Sequence, residues 1–368
     1  MGWRVSIFTA AGAVLVALGL VPGAAVGAAP NDTYYPLSWH HQVIGSEGAW
    51  EISGGSRDVI VAVIDTGVDA NHPDLVGHLV SGWNFTNNSA DTSPIGYHGT
   101  TVAGVIAASR NNGIGVAGVA DVSIMPIIAS DSPTSMTDLD AVAGIHWAAD
   151  HGAKVINISA GLLQGPRLGE AAQYAWGKGA LVVVASKNTN GYGNHDVWDE
   201  VISVSASGRN DTRYNSEYGE FLDLLAPGQD IYTTYWEASG EHLYAIGQGA
   251  SYAAPMVSAA AALAWSINPE LTNAQVREIL FSTAVDLGDV GWDEQNGWGR
   301  LNLAGVAAAA ASVPEPGVMI VVVANAMMLG RRGGRRAGRL SALRGQEHGH
   351  LSTAAHATPD EENGCENK

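Results

Sequence analysis

The chain has 368 residues, 46 % of them apolar, enough for a large core in one α/β domain or two smaller ones. Only 15 % are charged, and 36 Asp and Glu against 18 Lys and Arg give a net charge of −18. This excludes nucleic acid as a natural partner, because its binding rests on neutralising phosphates, and the single cysteine, Cys365, excludes an intramolecular disulfide framework or a cysteine-rich metal centre.

The chain starts Met1-Gly2-Trp3-Arg4, runs on as an apolar stretch from Val5 to Val21, and reaches the small residues Val26-Gly27-Ala28-Ala29. A positive start, an apolar core and a small-residue exit predict a secretory signal peptide over residues 1–29, cleaved near Ala28 or Ala29. The other reading is a permanent membrane anchor, but the small residues sit where signal peptidase needs them. The working protein is therefore expected outside the cytoplasm, secreted or associated with the cell surface.

Residues 30–313 alternate between two patterns. Val59–Ile64 is a continuous β-branched run, the mark of a strand buried on both faces. Val122–Ile128, Val155–Ile158, Leu181–Ala185 and Val201–Val204 follow in kind. Ala-rich stretches at 99–109, 137–151 and 168–178 read as helices between them, and 251–266 and 273–282 as two later helices. The expected fold class is α/β: a doubly wound, mostly parallel sheet with helices on both faces. This segment carries 30 acidic against 10 basic residues, more acidic than the whole chain.

In open α/β sheets the chemistry sits at the carboxyl ends of the strands. The first strand runs into Asp65-Thr66-Gly67, where a carboxylate orients a partner or is an ordinary turn residue. His98-Gly99-Thr100-Thr101-Val102-Ala103-Gly104 opens a helix and presents an imidazole at the rim; alone, such a histidine is more often structural. Gly247-Gln248-Gly249-Ala250-Ser251-Tyr252-Ala253-Ala254-Pro255 predicts a tight turn, then a helix starting at Ser251 with Pro255 in its first turn. A serine there is a nucleophile beside helix N–H groups, or a plain N-cap. Asp, His and Ser in this order are far more specific than any one of them.

These blocks resemble the subtilisin family (subtilases) of serine endopeptidases, whose known chain order is this one. The resemblance covers about residues 31–310. It includes Val63-Ile64-Asp65-Thr66-Gly67-Val68-Asp69, His72-Pro73-Asp74-Leu75, the His98 and Ser251 blocks, and Gly297-Trp298-Gly299-Arg300-Leu301-Asn302. The segment Asn31-Asp32-Thr33-Tyr34-Tyr35 resembles the thermitase branch in particular. The resemblance implies a subtilisin-like fold and a monomeric secreted endopeptidase that cleaves protein or peptide substrates through an acyl-enzyme. It implies Ser251 as nucleophile, His98 as general base and then acid, Asp65 as the group that holds His98, and Asn188 as oxyanion donor. It makes Ser159-Ala160-Gly161 and Ala185-Ser186-Lys187 the two walls of the pocket for the P1 side chain, the one preceding the scissile bond. Four positions depart from the family pattern: Lys187 stands for Gly, Ala250 for Thr, Tyr252 for Met, and Ala160 for Leu. They admit an alternative, a catalytically impaired subtilase serving as a peptide-binding or surface scaffold protein.

The resemblance also implies a structural Ca²⁺ held by Asp32, Asp74 and Asn112 with the carbonyls of Arg110, Ile114 and Val116. Such an all-oxygen set suits this cation. The family match begins almost at the signal-peptide exit, so no pro-domain is expected between them.

At the other end an Ala-rich stretch, 306–312, is broken by Val313-Pro314-Glu315-Pro316. The apolar run Val318–Leu329 and the cluster Arg331, Arg332, Arg335, Arg336 and Arg339 follow. Residues 314–339 resemble a PEP-CTERM sorting signal, which implies an exosortase-type sorting enzyme as partner. The run is shorter than the ~20 residues that span a bilayer. Residues 340–368 lack an apolar period and are expected to be disordered.

Overall fold

The computed structural model describes residues 29–314, apart from 131, 133–135, 137 and 162–165. The signal peptide, the Arg-rich segment and the tail expected from the sequence therefore lie almost wholly outside the described residues. The chain divides into one unit ending at Val313 and another from Pro314 onward. All the strands and helices described here belong to the first unit.

Seven strands form the main sheet: β1 (Ile60–Asp65), β2 (Trp83–Asn84), β3 (Ser123–Ile128), β4 (Val155–Ile158), β5 (Leu181–Ala185), β6 (Val201–Ser207) and β7 (Leu224–Pro227). Their order is β2-β3-β1-β4-β5-β6-β7, and every neighbouring pair is parallel. The chain leaves β1 toward β3 and later returns to place β4 on the other side of β1. That reversal makes a crevice at the carboxyl ends of β1 and β4.

The α-helices among the described residues are α1 (Trp39–Ile44), α2 (Ser46–Trp50), α3 (His98–Ala107), α4 (Asp138–Asp150), α5 (Pro166–Gly177), α6 (Ala250–Ile267), α7 (Asn273–Ser282) and α8 (Leu303–Ser312). Side chains alternate across a strand, so each central strand feeds two cores. Val61, Val63, Val183 and Ala185 pack with α3, α6, α7 and α8. Ala62, Ile64, Val182 and Val184 pack with α4 and α5 on the opposite face. Helix α6 has the length and hydropathy of a membrane span, but 83 % of that stretch is buried inside the fold, as a core helix requires.

The structure extends the expected elements at several points. Strand β1 takes in Asp65, and β6 runs on to Ser207 because its backbone pairs with β7 as far as Ser207 opposite Pro227, the buried Ser205 hydroxyl being satisfied by Ser186 and the Glu217 carbonyl. Helix α3 stops at Ala107, two residues early. The antiparallel hairpin of β8 (Ile231–Trp236) and β9 (His242–Gly247) was not legible, and it leads the chain directly into α6. It is tied to α3 by hydrogen bonds from Thr233 Oγ1 to the Thr101 carbonyl and from Thr234 Oγ1 to the Thr100 carbonyl.

Candidate active site

Asp65 ends β1 at the crevice and is only 2 % exposed. A buried carboxylate needs donors, and three groups supply them. His98 Nδ1 lies 2.8 Å from Oδ2 and 3.0 Å from Oδ1, and the Thr66 N–H donates to Oδ1 at 2.7 Å. The Thr66 hydroxyl, 3.1 Å from Oδ1, accepts the Gly99 N–H at 3.0 Å and so ties the start of α3 to the end of β1. Gly99 permits this approach, since a Cβ there would run into the Gly67 carbonyl. His98 is the first residue of α3, with its side chain 25 % exposed at the rim. Burial alone would push its imidazole pKa down, but the charge and hydrogen bond of Asp65 outweigh that and hold it above its ordinary value.

Ser251 lies one residue further into its helix than the sequence suggests. Helix α6 begins at Ala250, behind Gly249 at φ 115°, so Pro255 is an interior residue and not part of the first turn. An interior proline leaves the carbonyl four residues earlier without its helical donor. Here that carbonyl belongs to Ser251. The Ser159 hydroxyl fills the gap, donating to Ser251 O at 3.0 Å. Ser159 Oγ in turn accepts from Asn157 Nδ2 at 2.9 Å, and Asn157 Oδ1 accepts from the Ser258 hydroxyl at 2.9 Å. A buried polar chain thus links α6 to β4 and ends on the backbone of Ser251. Asn157 and Ser258 were missed in the sequence; the sign was a polar residue in the otherwise apolar strand Val155-Ile156-Asn157-Ile158.

Asn188 follows β5, and its Oδ1 accepts the Ala250 N–H at 2.8 Å. That donor fixes which end of the amide is oxygen, and among the described residues no acceptor takes the NH₂ group of this exposed residue. Glu217 braces both neighbours of Asn188: its N–H donates to the Lys187 carbonyl at 3.1 Å, and its carboxylate accepts the Thr189 hydroxyl at 2.9 Å and pairs with His195 at 2.5 Å. This brace also escaped the sequence reading. Tyr252 tucks its ring against Gly247, which has no Cβ to obstruct it, and lies 6.3 Å from the His98 ring in an edge-on arrangement.

Asp65, His98, Ser159, Ala160, Gly161, Ser186, Lys187, Asn188 and Ser251 line one cleft of about 410 Å³, with Thr66, Tyr97, Ser130 and Met136. Ala185 does not join them. It is the last residue of β5, on the same face as Val183, and is fully buried in the sheet core; Ser186 takes its place on the wall.

The residues expected to hold calcium also gather in one region. Asp74 is fully buried; its Oδ1 accepts Asn112 Nδ2 at 2.6 Å and its Oδ2 the Val116 N–H at 3.0 Å. Asp32 accepts the N–H groups of Asn111 at 2.9 Å and Asn112 at 3.4 Å. Asn112 Oδ1 accepts the Ile114 N–H at 3.0 Å. Arg110 and Ile114 lie on the same loop, and the Arg110 guanidinium stacks over Trp50 at 4.2 Å. Burial raises the Asp74 pKa, opposed by its hydrogen bonds to Asn112 and Val116. The oxygen-rich set fits a hard cation, although its oxygens are engaged by N–H donors. Among the described residues no group of three or more His, Cys, Asp or Glu is arranged to hold a metal.

A model of the subtilase family matches residues 56–299. A thermophilic serine proteinase of Bacillus sp. (strain AK1) is 38 % identical over 279 residues, 74 % of this chain and 68 % of that protein. Thermitase of Thermoactinomyces vulgaris is 38 % identical over 268 residues, 71 % of this chain and 94 % of thermitase. Among solved structures, a protease from Pseudoalteromonas arctica superposes with a TM-score of 0.70 at 29 % identity, covering 77 % of this chain and all of that one. The chain belongs to the subtilase family and is an enzyme of the serine endopeptidase type.

Proposed function

We propose that this chain is a secreted endopeptidase that cleaves protein or peptide substrates through an acyl-enzyme on Ser251. The observation that carries the reading is the Asp65 carboxylate gripping His98 Nδ1 at 2.8 Å in the cleft that Ser251 also lines. Asp65 fixes the tautomer of His98, leaving Nε2 as the base. Nε2 takes the Ser251 hydroxyl proton as Oγ attacks the substrate carbonyl carbon. The new oxyanion is met by the Asn188 NH₂ and the Ser251 N–H, which lies too near the start of α6 to have a helical acceptor. His98 then gives its proton to the departing amine, the C–N bond breaks, and water repeats the sequence to free the acid. Ser159-Ala160-Gly161, continuing β4 beyond its sheet partners, is the edge to which an extended substrate adds.

In this proposal residues 1–29 direct export, residues 30–313 form the peptidase domain, and residues 314–339 serve as a sorting signal for an exosortase-type enzyme. A Ca²⁺ bound by Asp32, Asp74 and Asn112 with the carbonyls of Arg110, Ile114 and Val116 would offset the buried charge of Asp74 and stiffen the N-terminal segment. The test of the chemistry is hydrolysis of a denatured protein. Wild type should digest it, and Ser251→Ala and His98→Ala should not; equal digestion by Ser251→Ala would refute the assignment.

A further inference from the structure

The two walls of the cleft touch. A Cβ built on Gly161 would lie 2.5 Å from Lys187 Cγ and 3.3 Å from Lys187 Cα. The stem of Lys187 therefore lies along the opposite wall, where a glycine would leave open space. Its flexible methylenes cover apolar surface while the ammonium seeks a polar partner.

That partner is missing. Among the described residues, Arg57, Lys178, Arg209, Arg277 and Arg300 each pair with an aspartate. Among the same residues, no ion pair, side-chain hydrogen bond or aromatic face is found for the Lys187 ammonium. Glu217, whose N–H holds the Lys187 carbonyl, commits its carboxylate to His195 and Thr189. Asp65, the carboxylate that lines the cleft, is committed to His98. An uncompensated cation at a cleft wall, in a chain of net charge −18, is a site for an anionic ligand group.

We propose that Lys187 makes this enzyme select an acidic side chain, glutamate or aspartate, at the substrate residue whose carbonyl Ser251 attacks. This rests on the peptidase reading above. The carboxylate gains the charge of Lys187, and a lysine or arginine at the same position meets repulsion. A bulky aromatic side chain finds the space between Gly161 and Lys187 already filled.

The test compares peptides that differ only at P1, carrying Glu, Gln, Lys or Phe. Glutamine is the uncharged match for glutamate. Wild type should favour Glu over Gln by about tenfold or more in kcat/KM, about 1.4 kcal/mol. The ratio should shrink on moving to about 0.5 M salt, because exposed charges are screened. In Lys187→Gln the ratio should fall to near one, and in Lys187→Glu the preference should turn to Lys. A Glu-to-Gln ratio near one in wild type, or one unchanged in both variants, overturns the proposal. Labelling with a fluorophosphonate separates the two readings. A labelled enzyme without the preference refutes the role of Lys187 alone. An enzyme that neither labels nor cleaves refutes the peptidase reading and this proposal with it.

Discussion

The Ser159 hydroxyl donates to the Ser251 carbonyl at 3.0 Å, in the place of the N–H that Pro255 lacks. One side chain of the substrate-binding edge thus fixes the backbone of the proposed nucleophile. Removing it leaves a carbonyl unpaired, a loss of about 1–3 kcal/mol when the group is shut off from water.

Ser159→Ala should therefore lower kcat roughly tenfold, the equivalent of ~1.4 kcal/mol, with KM changed far less. Ser159→Thr, which keeps a hydroxyl, should recover part of the loss. Steady-state kinetics on one peptide checks both variants. A rise in KM with kcat unchanged would mean that Ser159 acts only through substrate binding.

The acid side of the pH profile should reflect His98. Its neutral form is the base, and Asp65 raises its pKa. Activity should thus rise with pH through a midpoint above the ordinary imidazole value. Asp65→Asn removes the charge that raises the pKa, so its midpoint should move down while the rate falls by orders of magnitude. The pH dependence of kcat/KM reads both.

Acid stability should follow different histidines. Burial depresses His40 well below its ordinary value and His41 to about 4. A histidine kept neutral in the fold but protonated when unfolded costs stability as pH drops below its unfolded pKa. The slope is about 1.4 kcal/mol per pH unit for each such group. The melting temperature should fall steadily from about pH 6.5 toward pH 4. His40→Leu should flatten that fall, and its buried Nδ1 has no partner to lose. Melting curves across pH decide it; equal slopes in both proteins would contradict the assignment.

Calcium should raise thermal stability. Binding only the native state adds RT ln(1 + [L]/Kd), about 2.7 kcal/mol at a hundredfold excess over Kd. A chelator should lower the melting temperature of wild type, and Asp74→Ala should be insensitive to it. A wild-type melting curve unmoved by chelator would mean that the hydrogen bonds of Asp32, Asp74 and Asn112 close this loop without a cation.

Much of the fold and the cleft was legible in the sequence because it is local. The strand that ends on Asp65 and the small-residue helices behind His98 and Ser251 mark themselves by short-range pattern. The hairpin of β8 and β9 did not, since β9 buries neither face fully and shows no clean alternation. Strand β2 is only two residues long and leaves no pattern at all. Hydrogen bonds between distant residues were also invisible: Ser258 reaches Asn157 across 101 positions, and Glu217 reaches Thr189 across 28. Pro255 sits deeper in α6 than its local sequence suggests, because α6 starts at Ala250, whose N–H is taken by the distant Asn188.

Ser251 is central to the proposed chemistry, as a nucleophile made reactive by His98. A fluorophosphonate probe forms a covalent bond to such a serine without requiring a substrate to be known. Labelling of the purified protein, followed by mass spectrometry of the labelled peptide, should place the adduct on Ser251, vanish in Ser251→Ala and fall strongly in His98→Ala. Labelling that persists unchanged in Ser251→Ala, or an adduct on another residue, would contradict that role.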